Sequence, residues 1–344
     1  LAADESFVAG VARALAGADG WDGSVATVSD AAVAAELASL GGVASTGVLE
    51  VPASALLGDA PTSGFADDPV CTATGNFAHS EVDLTFPGRA APLALTRWYN
   101  SMSERTGAFG PGWSSLLDAR LIVGEDSVVA LLPDGAEIRF QRDGSAAWRG
   151  DARPRLRLRA VPSPDRGAGV GSFELVDGPA SGYGFDASGA VTRRWVGRSE
   201  VVVTREDGVV VALAERCSGR SVALSWEAGR VAGARSSDGR EVAYGYDGPH
   251  LVAVSRPSGA MRYEVAAGKV VGIVDADGVA LVANRYDESG RVVAQTSPFG
   301  RVSRYSYGPG GMTVVAGDEG IRNAFVHDTG GNLVAIVDGS GRPM

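Results

Sequence analysis

Two hydrophobic periods divide the chain. Near the N-terminus Phe7, Val8, Val11, Ala14, Leu15 and Ala18 recur at helical spacing before a Gly-Ala-Asp-Gly break, which predicts a short helix. Ser29-Asp30 caps a second predicted helix, with Val33, Leu37 and Leu40 on one face and Gly41-Gly42 as its stop. Both are short and Ala-rich, so residues 1–40 need something to pack against. Residues 41–66 are small, polar and punctuated by Gly and Pro; they read as a linker or an extended plug.

After Pro69 the period becomes two. Leu93, Leu95, Arg97 and Tyr99 alternate with Ala94, Thr96 and Trp98. Val222, Leu224 and Trp226 share one face, as do Val242, Tyr244 and Tyr246. These are half-buried strands. Asp-Gly recurs at 134, 143, 177, 207, 238, 247, 277 and 338, the chemistry that tight hairpins favour.

The strands also repeat. Shifting the chain by about 20 residues superposes three segments. One runs from Tyr246-Asp247 through Leu251-Val252-Ala253 and Pro257-Ser258-Gly259 to Tyr263. The next runs from Tyr286-Asp287 through Gly290-Arg291-Val292 and Pro298-Phe299-Gly300-Arg301 to Tyr305 and Tyr307. The third holds His327-Asp328, Gly331-Asn332-Leu333 and Gly339-Ser340-Gly341-Arg342, and a weaker copy starts at Trp226-Glu227. In each unit the aromatic residue supplies apolar contact, Asp preforms a turn and Gly takes its positive φ. A single unit cannot bury its own face, so the units are expected to stack into one sheet.

Tyr-Asp-x-x-Gly-Arg with a later Pro-x-Gly-Arg and a closing Tyr resembles the YD repeat of RHS proteins. The preceding stretch is similar to the opening module of the RHS core. It holds Asp68-Pro69-Val70, Thr74-Gly75, Leu95-Thr96-Arg97, Tyr99-Asn100-Ser101, Phe109-Gly110-Pro111-Gly112-Trp113-Ser114 and Leu132-Pro133-Asp134-Gly135. The resemblance covers residues 67–344. It implies a mainly all-β fold, with an opening module over 67–150 and an antiparallel YD-repeat sheet over 151–344 that forms part of a curved β-cocoon wall. It also implies a structural shell of a polymorphic-toxin-type protein of interbacterial competition, whose partners are the rest of the shell and an enclosed C-terminal toxin. The Asp-Pro-x-Gly signature linked with toxin release in this family has no counterpart here, since the only Asp-Pro is Asp68-Pro69. The sheet is expected to continue beyond Met344. Phe7-Val8-Ala9-Gly10-Val11-Ala12 and Val28-Ser29-Asp30-Ala31-Ala32-Val33 resemble the tail of helical export domains in actinobacterial members that use type VII secretion, implying a secreted or cell-surface protein.

Composition narrows this picture. The 344 residues include 48 glycines, in keeping with frequent turns, and carry a formal net charge of −10, which disfavours nucleic acid as a partner. No apolar run is long enough to span a membrane, and Asp4 and Glu5 stand where a signal peptide is basic. Cys71 and Cys217 make no metal or disulfide pattern, although a bridge between them stays open.

Candidate chemistry is sparse. His79, His250 and His327 lack metal spacing, and His327 fills the repeat's aromatic slot. Gly268-Lys269 lacks the upstream glycine of a phosphate loop. Asp275 and Asp277 before Gly278 suggest a calcium loop, but the other ligands are missing and a hairpin turn reads better. Arg155-Leu156-Arg157-Leu158-Arg159 is either an anion stripe or a strand with leucines inward and arginines in solvent. Trp113, Trp148 and Trp195 are candidates for a sugar platform, although Trp113 reads better as a plug against the sheet. No catalytic, cofactor or metal site is expected. The second functional reading is a surface β module that binds carbohydrate or a partner protein.

Overall fold

Alternating side chains and frequent turns give a chain of antiparallel hairpins. The computed structural model describes residues 49–59, 62–86, 93–142, 148–163, 170–308, 311–339 and 344. The two predicted helices within residues 1–40, the first part of the linker and the Asp143-Gly144 turn lie outside the described residues. The chain divides into two compact units: the residues up to Phe77 together with Ala280–Met344, and Ala78–Val279.

The larger unit opens with two small sheets. Ala78–Thr85, Ala94–Asn100 and Trp113–Ser115 form one; Arg120–Val123, Ser127–Leu131, Glu137–Arg142 and Trp148–Gly150 form the other. From Leu156–Pro162 to Lys269–Val274 every strand then pairs antiparallel with the next in sequence order. In the smaller unit the strands from Ala280–Tyr286 to Leu333–Asp338 follow the same rule, and Phe65–Ala66 pairs with Val70–Cys71. This sequential order is what units that cannot bury themselves alone must adopt.

Seven of the described hairpins share a defect at a fixed place. In the larger unit the register shifts at Phe185, Arg205, Trp226, Tyr246 and Val265. In the smaller unit it shifts at Tyr286 and His327. At each shift the returning strand carries one extra residue; Tyr246 pairs with Leu251 and Gly245 with Ala253, so Val252 is the extra one. These are β-bulges, which add twist and leave ladder groups unpaired. The repeat aromatic therefore marks a bulge and not merely a strand end.

Turn chemistry is broader than Asp-Gly. Paired positive φ angles, the signature of the hairpin turn whose twist matches its strands, occur at Asp207-Gly208, Ala228-Gly229 and Ala267-Gly268. Elsewhere the Asp heads a longer loop and its carboxylate accepts backbone N–H groups, as Asp275 does from Asp277 and Val279 at 3.0 and 2.9 Å. Asp275 and Asp277 thus build a hairpin turn. Among the described residues no group of three or more His, Cys, Asp and Glu side chains could hold a metal ion.

Candidate functional site

The buried residue after each turn joins three pieces of chain. Val231 is fully buried; its N–H donates to the Ala108 carbonyl at 2.9 Å, and its carbonyl accepts the Tyr246 hydroxyl at 2.7 Å. In the smaller unit Val292 repeats the arrangement, with Gly75 as acceptor at 3.0 Å and Tyr307 as donor at 2.6 Å. Trp226 donates its indole N–H to Val210 O at 2.7 Å, and Arg205 reaches Val191 O. His327 fills the same slot: Nδ1 donates to Gly311 O at 2.8 Å, leaving Nε2 to accept the Thr72 hydroxyl at 2.9 Å. Burial lowers its pKa below the ordinary value. The bulges at Phe185, Arg205, Trp226 and Tyr286 so free a carbonyl, which Arg205, Trp226, Tyr246 and Tyr307 of the next unit respectively take.

The rest of the repeat motif serves the same seam. The Arg230 guanidinium lies 4.7 Å from the centre of the Tyr246 ring, and Arg291 lies 4.7 Å from that of Tyr307, each on the ring of the next unit. Asp287 accepts the Arg291 backbone N–H at 2.9 Å and its Nε at 2.8 Å, and Asp328 accepts the Asn332 N–H at 2.8 Å. Gly290, Gly300 and Gly331 hold φ of +79, +78 and +76 in their turns. Tyr286, Asp247 and Pro298 stand at hairpin ends, Tyr286 half-buried at the bulge and the Asp247 side chain in solvent.

The opening module meets these seams in reverse order. In the larger unit the Val270 N–H donates to the Tyr99 hydroxyl at 2.9 Å, Val231 to Ala108 O, and further along Leu121 donates to Gly189 O at 2.7 Å. In the smaller unit Leu333 donates to Thr62 O at 2.8 Å and Val292 to Gly75 O. Glu50 donates to Thr329 O at 2.7 Å, and Leu56 packs beneath Gly331. Advancing along the module means stepping back through the repeats.

At the centre of the larger unit lies a buried ion pair. Arg97 is 0% exposed and binds Asp83 through Nε at 2.5 Å and Nη2 at 2.9 Å. Its Nη2 also donates to the Tyr263 hydroxyl at 3.1 Å, and the Tyr244 hydroxyl donates to Asp83 at 2.8 Å. The guanidinium carbon lies 4.5 Å from the Trp113 ring centre and within 5.7 Å of those of Phe109, Tyr244 and Tyr263. Trp113 in turn packs between Tyr99 and Tyr263, at 5.2 and 5.1 Å. Burial opposes the charge on Arg97, but the facing Tyr263 hydroxyl and Asp83 carboxylate more than offset it and raise its pKa. Burial and the Asp83 charge raise that of Tyr244. Outside the box Arg256 binds Glu81 at 2.5 Å and Asp83 at 3.4 Å.

The Phe109-Gly110-Pro111-Gly112-Trp113 motif shapes this box. Gly110 (φ +100) faces the Pro249 carbonyl so closely that a Cβ would stand 2.6 Å from its oxygen, and Gly112 (φ +76) lies against the Tyr99 ring. Pro111 pairs with Thr106 in a short ladder. Asn100 ties the motif to the next loop by donating to Asp134 O at 2.8 Å. Trp113 is the expected plug. Trp148 is also buried, against the sugar-platform reading, while Trp195 is half-buried beside Arg193. Cys71 (buried) and Cys217 (exposed) are both free thiols. The Asp83–Arg97 pair was not foreseen, although an Arg in phase with Leu95 and Tyr99 is a signal for it.

This architecture defines a β-repeat protein in which the opening module and the repeat seams form one hydrogen-bonded system within each unit. Residues 286–320 match the RHS Repeat model, and residues 67–140 match a domain of unknown function, DUF6531. The chain thus carries an RHS repeat at 286–320, in keeping with the resemblance read from its sequence. Two similar solved structures are crystal structures of TcdB2-TccC3-Cdc42 and of TcdB2-TccC3. Each is 10% identical and aligns with 64% of this chain, with TM-scores of 0.34 and 0.33. This chain covers 14% and 16% of those two chains. No curated protein matches it. Among the described residues no helix is long and apolar enough to cross a membrane.

Proposed function

We propose that this chain is a stretch of shell wall in a secreted or cell-surface RHS protein, without catalysis of its own, that encloses a C-terminal toxin and helps deliver it. The observation that carries the reading is the seam. A single chemical device, bulge carbonyl to the next unit's side chain, recurs from Arg205 to Trp226 to Tyr246 and again at Tyr307, and extends a sheet unit by unit. Such a device makes wall, and the opening module fastens to it at the N–H groups the bulges leave over. The remaining shell and the cargo are the partners, and the stretch before the module serves export.

Limited proteolysis tests this in the natural polypeptide that contains the chain. The C-terminal region should resist protease in the wild type and become cleavable when Arg97→Met opens the buried box. Equal cleavage in both would overturn the enclosure reading. Saturable glycan binding by the isolated chain, with ligand-dependent tryptophan fluorescence, would favour the carbohydrate-module reading instead.

A further inference from the structure

A cavity of about 470 Å³ opens in the larger unit beside the seam at Val231. The opening-module loop ending at Ala108 forms one wall, and the hairpin turns holding Ala228-Gly229 and Pro249 form the other. Its volume falls within the range of small-molecule sites, about 300–1,000 Å³. Trp226 lines it as well. The indole N–H is already spent on Val210 O at 2.7 Å, so Trp226 offers the cavity apolar ring, beside the aliphatic surface of Ala228 and Pro249.

Two charges of opposite sign line the same space, Asp118 and Arg230. The Asp118 carboxylate accepts the Ala108 N–H at 2.7 Å and the Ser115 hydroxyl at 2.8 Å, bonds that hold the loop. A carboxylate has room for more donors than these. Among the described residues no cation pairs with it: Arg105 acts from a distance and is bound to Glu137 at 3.3 Å. Burial pushes the Asp118 pKa up against its hydrogen bonds. Arg230 is the complement. Its Nη1 donates to Gly248 O at 2.6 Å, but its Nε is buried without a hydrogen-bond partner. Among the described residues no carboxylate pairs with it. Charges drawn out of water need partners, and a ligand carrying one charge leaves the other lining group unpaired. A neutral polyol pairs with neither.

We infer that this cavity binds an α-amino acid with an apolar or aromatic side chain. The ammonium group meets Asp118, the carboxylate meets Arg230, and the side chain lies against Trp226 and Pro249. Charge-assisted hydrogen bonds fix both ends of the zwitterion, and the ring takes the apolar body. One wall belongs to the opening module and the other to the repeat turns, so the bound amino acid braces the bond from Val231 N–H to Ala108 O.

Isothermal titration calorimetry of the full chain with L-phenylalanine tests this. Binding should be saturable and should raise amide protection at Val231. Phenethylamine and phenylpropionate each lack one charge and should bind about tenfold or more weakly, the loss expected when a charged hydrogen bond goes. Arg230→Gln should weaken L-phenylalanine by a similar factor without weakening phenethylamine. Asp118→Asn should weaken L-phenylalanine without weakening phenylpropionate. The control Arg262→Gln, at an exposed strand position outside the cavity, should bind like the wild type. No saturable binding, equal binding of either one-charge analogue or of glucose, or equal loss in the control variant would each overturn the inference.

Discussion

Replacing Arg97 by Met leaves Asp83, whose side chain is 0% exposed, without its principal counter-charge. Breaking a buried pair from one side costs about 3–5 kcal/mol, because the remaining charge stays desolvated. Asp83 retains the Tyr244 hydroxyl at 2.8 Å and Arg256 at 3.4 Å, so the lower end, about 3 kcal/mol, is expected here. Asp83→Leu should cost about as much, since Arg97 then keeps only the Tyr263 hydroxyl and the four ring faces. The double variant removes both charges and leaves two tyrosine hydroxyls short of partners, a loss of about 1–3 kcal/mol. The single costs therefore should not add; the coupling should be roughly 3–5 kcal/mol.

Denaturant unfolding gives the three values, read by the fluorescence of Trp113 in a background where the other tryptophans are replaced by Phe. Amide exchange at Val270 and Val231 provides a local reading, because both N–H groups donate to the opening module. Loss of protection at these amides in either single variant would place the damage at the seam. Singles that cost under about 1 kcal/mol, or that add in the double variant, would refute the claim that the pair is a buried lock.

Four further outcomes follow from the same geometry. Tyr246→Phe removes the donor to Val231 O and should cost about 0.5–1.5 kcal/mol by urea unfolding, with Arg230 still able to stack on the ring. Gly189→Ala forces a side chain at φ +87 to within 2.1 Å of the Leu121 carbonyl; Leu121 amide protection should fall and stability drop by roughly 2 kcal/mol or more. Ala267→Gly relieves an L-residue at φ +49 and should raise stability by about 0.5–1 kcal/mol, visible as a higher melting temperature. Glu81 is held at about 2 against the effect of burial by hydrogen bonds and charge from His79 and Arg256. A depressed carboxylate contributes stability above its ordinary value that is lost as pH falls from about 4.5 toward 2, so Glu81→Gln should flatten the denaturation midpoint across that window.

Much of the fold was legible because strand alternation and turn residues act locally. Val242, Tyr244 and Tyr246 announce a strand by themselves, and Tyr-Asp with Gly-Arg announces a unit. The regular bulge was hidden, because a bulge is a property of pairing between two strands and no single residue type encodes it: Phe185, Arg205, Trp226 and Val265 all occupy it. That variety also concealed how far the repeat extends upstream. Asp83 was illegible for another reason. An acidic residue between Val82 and Leu84 reads as a solvent position until a register shift between Val82 and Leu84 turns it inward to Arg97, 14 residues away.

The chain's divergence at the bulge has a physical logic. The slot requires a side chain long enough to span to the preceding unit and able to donate one hydrogen bond; Tyr, Trp, His and Arg all meet that demand. Phe185 and Val265 do not, and at Val265 the opening module supplies other contacts. There Tyr263 closes on Arg97 and Trp113, Tyr99 takes the Val270 N–H, and Lys269 reaches the Ser101 carbonyl. The donor missing from the seam at Val265 is thus matched by contacts from the opening module at the same strand pair. Were the box only a local ornament of the opening module, its position relative to the one donor-less aliphatic slot among the described bulges would be coincidence, and Val265→Tyr would leave the cost of Arg97→Met unchanged. If the two share one task, the tyrosine should lower that cost by about the worth of one buried hydrogen bond, roughly 1 kcal/mol.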